Sequence, residues 1–253
     1  MAGISPTKIS KILITHWHGD HIWGLPGLLQ SIASTNKKQE IEIYGPKRTL
    51  EFLKNMKKAF SPSQNMKFNA KEIIKESKII DTKHFEIRAK PVSHSTHCLA
   101  YSFKEKDKRR INLEYTKKFG LTKDPLLGKL QQGKTIIYKK KKITPEKGTI
   151  LIPGKKITFI TDVKNSKDLI KFAQNSDLLI LESTLSDDLK KEAAKTMHLT
   201  AKQAAEIAKA AKAKKLILTH FSQRYRSTRE LEEQAKSIFK NTEAAKDFMS
   251  ITI

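Results

Sequence analysis

Short apolar runs alternate along the chain with stretches whose apolar residues recur at helical spacing. Ile12–Thr15, Glu40–Tyr44, Ile79–Lys90, Ala100–Phe103, Lys156–Asp162, Asp177–Ser183 and Lys214–Thr219 read as strands. A helix is predicted over Ile22–Ser34, interrupted near its start by Gly24, Pro26 and Gly27. Another runs from Pro46, which suits a first helical turn, to about Lys58. Further helices are predicted over Lys167–Asn175, Thr200–Ala213 and Glu230–Lys240, and Thr200 with Gln203 matches a capping box. Strands alternating with helices predict an α/β or layered α/β fold. The 253 residues make one large domain or two small ones, with a substantial core.

One polar run interrupts this pattern. Thr15-His16-Trp17-His18-Gly19-Asp20-His21 follows directly on Ile12-Leu13-Ile14. Imidazole and carboxylate suit zinc and similar divalent ions. In an extended segment His16 and His18 face the same side, while Asp20 and His21 point elsewhere, as an adjacent second metal site needs. That many donors exceed what one ion can use while leaving room for water, so the run reads as a two-metal hydrolytic centre. His16, Asp162, Glu182 and His220 each stand at or just past the C-terminal end of an apolar strand. In open α/β sheets ligands gather at that edge, so the four are expected to share one site.

Composition adds a polyanionic partner. Fifty Lys+Arg against 26 Asp+Glu give +24, which favours nucleic acid, although an excess made mostly of lysine also fits a compositional bias. The segment from about 104 to 149 holds 15 basic and five acidic residues, densest at Lys139, Lys140, Lys141 and Lys142. A charge run is ordinarily a solvated face. The alternative is a projecting arm that grips a phosphate backbone. The single cysteine, Cys98, excludes an internal disulfide, and no basic-then-apolar leader or membrane-length apolar run is visible. A soluble cytoplasmic protein is the expectation.

The donor run resembles the signature of the metallo-β-lactamase superfamily, and within it the chain is similar to the ribonuclease Z family. Gly24-Leu25-Pro26-Gly27-Leu28-Leu29 follows the signature as in that family. Pro91-Val92-Ser93-His94, Phe159-Ile160-Thr161-Asp162 and Leu181-Glu182-Ser183-Thr184 resemble further family segments. So do His198-Leu199-Thr200 and Leu218-Thr219-His220-Phe221-Ser222-Gln223-Arg224-Tyr225. The resemblance implies a four-layer αββα sandwich. The family opens with a β-rich segment that this chain does not carry ahead of its donor run, so the sandwich is expected to be N-terminally incomplete. It further implies one hydrolase domain over residues 1–253 with the basic arm inserted at about 104–149.

By the same resemblance, two zinc ions are bound per subunit. His16, His18 and His94 hold one, Asp20, His21 and His220 hold the other, and Asp162 bridges them. His97 competes with His94 in sequence, and the family position favours His94. Asp20 also orients or deprotonates water, and His198 stabilises the transition state or protonates the leaving oxygen. Glu182 either orients His198 or a ligand, or is only structural. The implied reaction is endonucleolytic hydrolysis of precursor tRNA just 3′ of the tRNA body, leaving a 3′-hydroxyl and a 5′-phosphate on the trailer. The arm would be the substrate-binding exosite of a homodimer, serving the partner subunit. Two other readings stay open: a superfamily hydrolase of small esters or phosphodiesters, and an inactive or half-enzyme fragment that binds metal or RNA.

Overall fold

A computed structural model describes residues 3–35, 40–59 and 68–253. They divide into two compact units, one of residues 1–81, 87–103 and 156–253, the other of residues 82–86 and 104–155.

The larger unit is built on two sheets. Three parallel strands, Lys11–Leu13, Ile41–Gly45 and Phe68–Glu72, pair in that order. The helices Gly24–Ala33 and Thr49–Ala59 connect them in the chain, as parallel pairing requires. Ile14, Leu29, Ile32, Ile43 and Leu53 form their common core. The second sheet has seven strands in the order Thr242–Ala244, Leu216–Thr219, Leu178–Glu182, Lys156–Ile160, Cys98–Glu105, Phe85–Val92 and Ser77–Asp81. Its first four strands are parallel neighbours. Leu178, Leu179 and Leu181 are nearly continuous in their burial, as expected of a parallel strand covered on both faces. The alanine-rich helix Ala201–Ala210 packs on this sheet through Ala204, Ala205, Ile207 and Ala208.

The predicted elements return with shifted edges. The helix after the donor run is two helices, Gly19–Ile22 and Gly24–Ala33, so Asp20 and His21 lie on a short helix of their own. The predicted strand over 79–90 is two, because the chain turns at Thr82–His84, where the Thr82 hydroxyl accepts from the amides of His84 and Phe85. Pro46 does not open the next helix, which starts at Thr49 after a left-handed turn at Arg48 (φ 76°). The capping box is present at Thr200 and Gln203.

The smaller unit carries the basic segment and has its own core of Leu121, Leu130, Ile136 and Ile143, all fully or nearly fully buried. Strands Lys108–Ile111 and Thr149–Ile152 pair antiparallel within it. Strands Ile136–Tyr138 and Lys141–Ile143 form a hairpin whose two loop residues, Lys139 and Lys140, both have positive φ (45° and 64°). Those values suit the tight turns that match strand twist. Lys139, Lys140, Lys141 and Lys142 are all exposed.

Candidate metal centre

Register builds the site. Ile160 pairs with Leu181 and Glu182 with Thr219, so three parallel strands end level with one another. The residues that follow, Asp162 and His220, leave the sheet at one edge beside Glu182. Both take left-handed backbone (φ 30° and 58°), as does Met197 (φ 60°), which ends the helix Lys190–Thr196 just before His198. Strained φ values at three neighbouring exits persist only where the surroundings fix them. His16 joins the cluster from the other sheet: the Tyr101 hydroxyl donates to the Ile14 carbonyl at 2.7 Å, and the Leu99 amide to the Thr15 carbonyl at 2.8 Å.

The imidazoles gather around Asp162, which is buried. Its Oδ2 lies 3.6 Å from His16 Nε2 and 3.7 Å from His94 Nε2. Its Oδ1 lies 3.4 Å from His21 Nε2 and 3.2 Å from His220 Nε2. One carboxylate oxygen therefore faces each of two imidazole groups. Asp20 sits beside the second, 3.2 Å from His21 Nε2 and 3.8 Å from His220 Nε2, with its side chain 68% exposed. His16, His18, His94 and Asp162 bring ligand atoms within 4.8 Å of one another; so do Asp20, His21 and His220. His198 also groups with Asp162 and His220 at that distance. His97, by contrast, is exposed on the loop after His94, and His84 is exposed on its turn.

The chemistry of these donors fits divalent cations. The Nε2 atoms of His16 and His94 are buried with no hydrogen-bond partner, a costly state for a polar atom unless something else is to satisfy it. The opposite ring nitrogens are engaged. His94 Nδ1 donates to the Met197 carbonyl at 3.3 Å. His16 Nδ1 lies 3.2 Å from the Thr15 hydroxyl and 3.8 Å from Cys98 Sγ. The Thr184 hydroxyl donates to Glu182 at 2.7 Å and so accepts from His220 Nδ1 at 2.9 Å. That bond turns His220 Nε2 inward toward Asp162, the usual way a ligand histidine is oriented.

Charge states follow from the surroundings. Burial pushes His16 down to about 4 against the opposing pull of Asp162, and burial likewise lowers His94. Both shifts favour the neutral imidazole, the form that coordinates a metal. A hydrogen bond with Asp162 raises His21, overcoming its burial. Burial works against ionisation of Asp162, yet hydrogen bonds from His21 and Thr161 and the nearby His220 hold it well below the usual carboxylate range.

Glu182 ties the edge together. It is completely buried and accepts from the amides of Val163 and Leu199, the Thr184 hydroxyl and His198 Nδ1 at 3.1 Å. One carboxylate thus pins the Asp162 turn, the His198 segment and, through Thr184, His220. Burial would lower the pKa of His198, but the Glu182 contact outweighs it and raises it. Thr184 and Met197 were not singled out in sequence. The Glu182-Ser183-Thr184 run was the only signal for the first, and a backbone carbonyl gives none for the second.

Comparison with known proteins decides the family. A β-lactamase superfamily domain model matches residues 2–116 and 131–221. The ribonuclease Z of Nitrosopumilus maritimus is 40% identical over 258 residues, covering all of this chain and 85% of its own length. That of Methanothermobacter thermautotrophicus is 36% identical over 255 residues, covering all of this chain and 82% of its own. The chain belongs to the ribonuclease Z family. Its fold is the metallo-β-lactamase fold: a human short-form tRNase Z superposes with a TM-score of 0.68 at 25% identity, over 99% of this chain and 82% of that one. Membership makes it a hydrolytic endoribonuclease of the superfamily. Among the described residues no helix is long and apolar enough to cross a membrane.

Proposed function

We propose that this chain is a zinc-dependent endoribonuclease that cuts precursor tRNA just 3′ of the tRNA body. Water adds to phosphorus, the bond to the 3′ oxygen breaks, and the products are a tRNA with a 3′-hydroxyl and a trailer with a 5′-phosphate. The observation that carries this reading is Asp162 turning one oxygen to each imidazole group in a chain matched along its whole length by ribonuclease Z relatives.

In this reading His16, His18 and His94 would hold one ion and Asp20, His21 and His220 the other, with the Asp162 carboxylate, which has one oxygen near each group, available to both. Bound zinc activates water and offsets charge on the phosphoryl oxygens. Asp20, open to solvent beside His21, takes the proton from the attacking water. His198, kept protonated to higher pH by Glu182, gives a proton to the departing 3′ oxygen. Lys139, Lys140, Lys141 and Lys142, exposed around a hairpin tip, bind tRNA phosphates. A cytoplasmic homodimer completes the reading.

The test is cleavage of a 3′-extended precursor tRNA by the full chain with zinc or manganese, beside an Asp20→Ala control. A single cut at the end of the acceptor stem, lost in the control, is expected. Hydrolysis of small phosphodiesters without any cut in precursor tRNA would favour a small-molecule hydrolase, and a metal-loaded chain that cuts neither would favour a binding fragment.

A further inference from the structure

Beside the imidazole cluster lies a cleft of about 520 Å³, within the size range of small-ligand sites. Its lining includes Trp17, Arg48, Phe52 and Ile74 and the loop from Ser93 to His97, whose His94 side chain turns into the metal centre. Trp17 stacks on Phe52 with ring centroids 5.1 Å apart, and the Arg48 guanidinium lies 5.0 Å from the Phe52 centroid. Trp17 and Arg48 are each held by named partners. Trp17 Nε1 donates to the Thr49 hydroxyl at 2.9 Å, and that hydroxyl donates to the Pro46 carbonyl at 2.7 Å. Gly45 is required beside it, since a Cβ there would meet Thr49 Oγ1 at 2.2 Å. Arg48 is held in left-handed backbone (φ 76°), and its guanidinium is also paired with Glu51 at 2.8 Å. The Ile73 amide donates to the Gly45 carbonyl and so ties the Ile74 segment to the strand that precedes Pro46. Ile74, 72% exposed, and the polar Ser95, Thr96 and His97 complete the lining used here.

A cleft lined by an aromatic pair with a guanidinium over one ring, an exposed apolar side chain and a few polar groups suits the face and edge of a nucleobase. Trp17 points away from His16 and His18 along its extended segment, and the cleft meets the imidazole cluster at His94, so a base held in the cleft lies beside a residue of the metal centre. We propose that this cleft receives one unpaired nucleobase of the RNA strand adjacent to the bond being cut, with Trp17 and Arg48 as its stacking wall. The proposal rests on the endoribonuclease reading above.

The test uses precursor tRNA made abasic at the nucleotide on one or the other side of the cut, with the metal-loaded full chain and its Trp17→Leu and Arg48→Gly variants. Glycine suits the φ of Arg48, so that variant keeps its backbone. The parent chain is expected to show a KM about tenfold higher for one of the two abasic substrates, and each variant to lose most of that penalty. An abasic penalty of equal size in parent and variants, or none on either side, overturns the proposal. A second measurement does not depend on turnover. In a Trp23→Phe chain, Trp17 is the sole tryptophan, and the trinucleotide ApApA should quench it while the abasic trimer does not. Equal or absent quenching contradicts the cleft assignment. If the parent chain cuts no precursor tRNA, the endoribonuclease reading fails while this titration still decides the cleft.

Discussion

The strand edge and the basic hairpin concentrate charge in opposite ways. At the edge, titratable groups are largely withdrawn from water and each is fixed by a named partner: Asp162 by His21 and Thr161, His198 by Glu182, His220 by Thr184. At the hairpin, four consecutive lysines are exposed, with Lys139 over the Tyr138 ring and Lys141 over the Phe119 ring. Buried groups in low dielectric interact strongly and specifically; exposed ones act by summed, salt-screened attraction. The first arrangement suits chemistry on one bond, and the second suits a polyanion of no fixed sequence.

The contrast is broken most severely at His198. His198→Ala is expected to retain the metal and lose cleavage by roughly 10²–10⁴-fold, the range for a lost general acid. Loss of metal content instead would make His198 a ligand, a role its nearness to Asp162 and His220 allows. Glu182→Ala should act on the whole edge. It strands two amides and a hydroxyl and frees His198, so stability should fall by roughly 3 kcal/mol and the melting temperature by about 10 °C. An unchanged melting curve would remove Glu182 from its tying role. The gentler Glu182→Gln sharpens the point through pH. The carboxylate raises His198, so neutralising it lowers that pKa, and the alkaline limb of the activity profile should move to lower pH. An unmoved limb would show that His198 is not the acid.

At the hairpin the expected effects are smaller and of another kind. Replacing Lys139, Lys140, Lys141 and Lys142 by glutamine should reduce the dependence of log K on log salt for tRNA by roughly 3, leaving bis(p-nitrophenyl) phosphate hydrolysis untouched. Equal loss of both activities would contradict a role confined to RNA. Smallest of all, Lys139→Asn with Lys140→Gly should stabilise the chain by about 1 kcal/mol, because both positions carry positive φ. A loss of stability would mean that the lysine side chains hold the turn.

The two regions differ as much in how they can be read from sequence. The donor run and the strand ends at Asp162, Glu182 and His220 are legible because ligand chemistry needs particular residue types and parallel register brings strand ends together. The structure brings His94 to the cluster from a loop, and sequence alone left His97 in competition with it. Thr184 and the Met197 carbonyl were not legible, since their importance lies in where the chain folds back rather than in what they are. The basic segment showed its charge but not its fold. Its small core of Leu121, Leu130, Ile136 and Ile143 is scattered among lysines, with too few apolar residues in any window to fix a period. Pro46 misled for a local reason: Gly45 and the Thr49 hydroxyl favour a turn at Arg48 before the helix begins.

The central claim is that Asp162 joins two metal sites, and metal content measured by mass spectrometry on purified protein tests it most directly. Two zinc ions per parent chain, and no more than one in Asp162→Ala, is the expected result. One ion per parent chain, or two retained in Asp162→Ala, would contradict it.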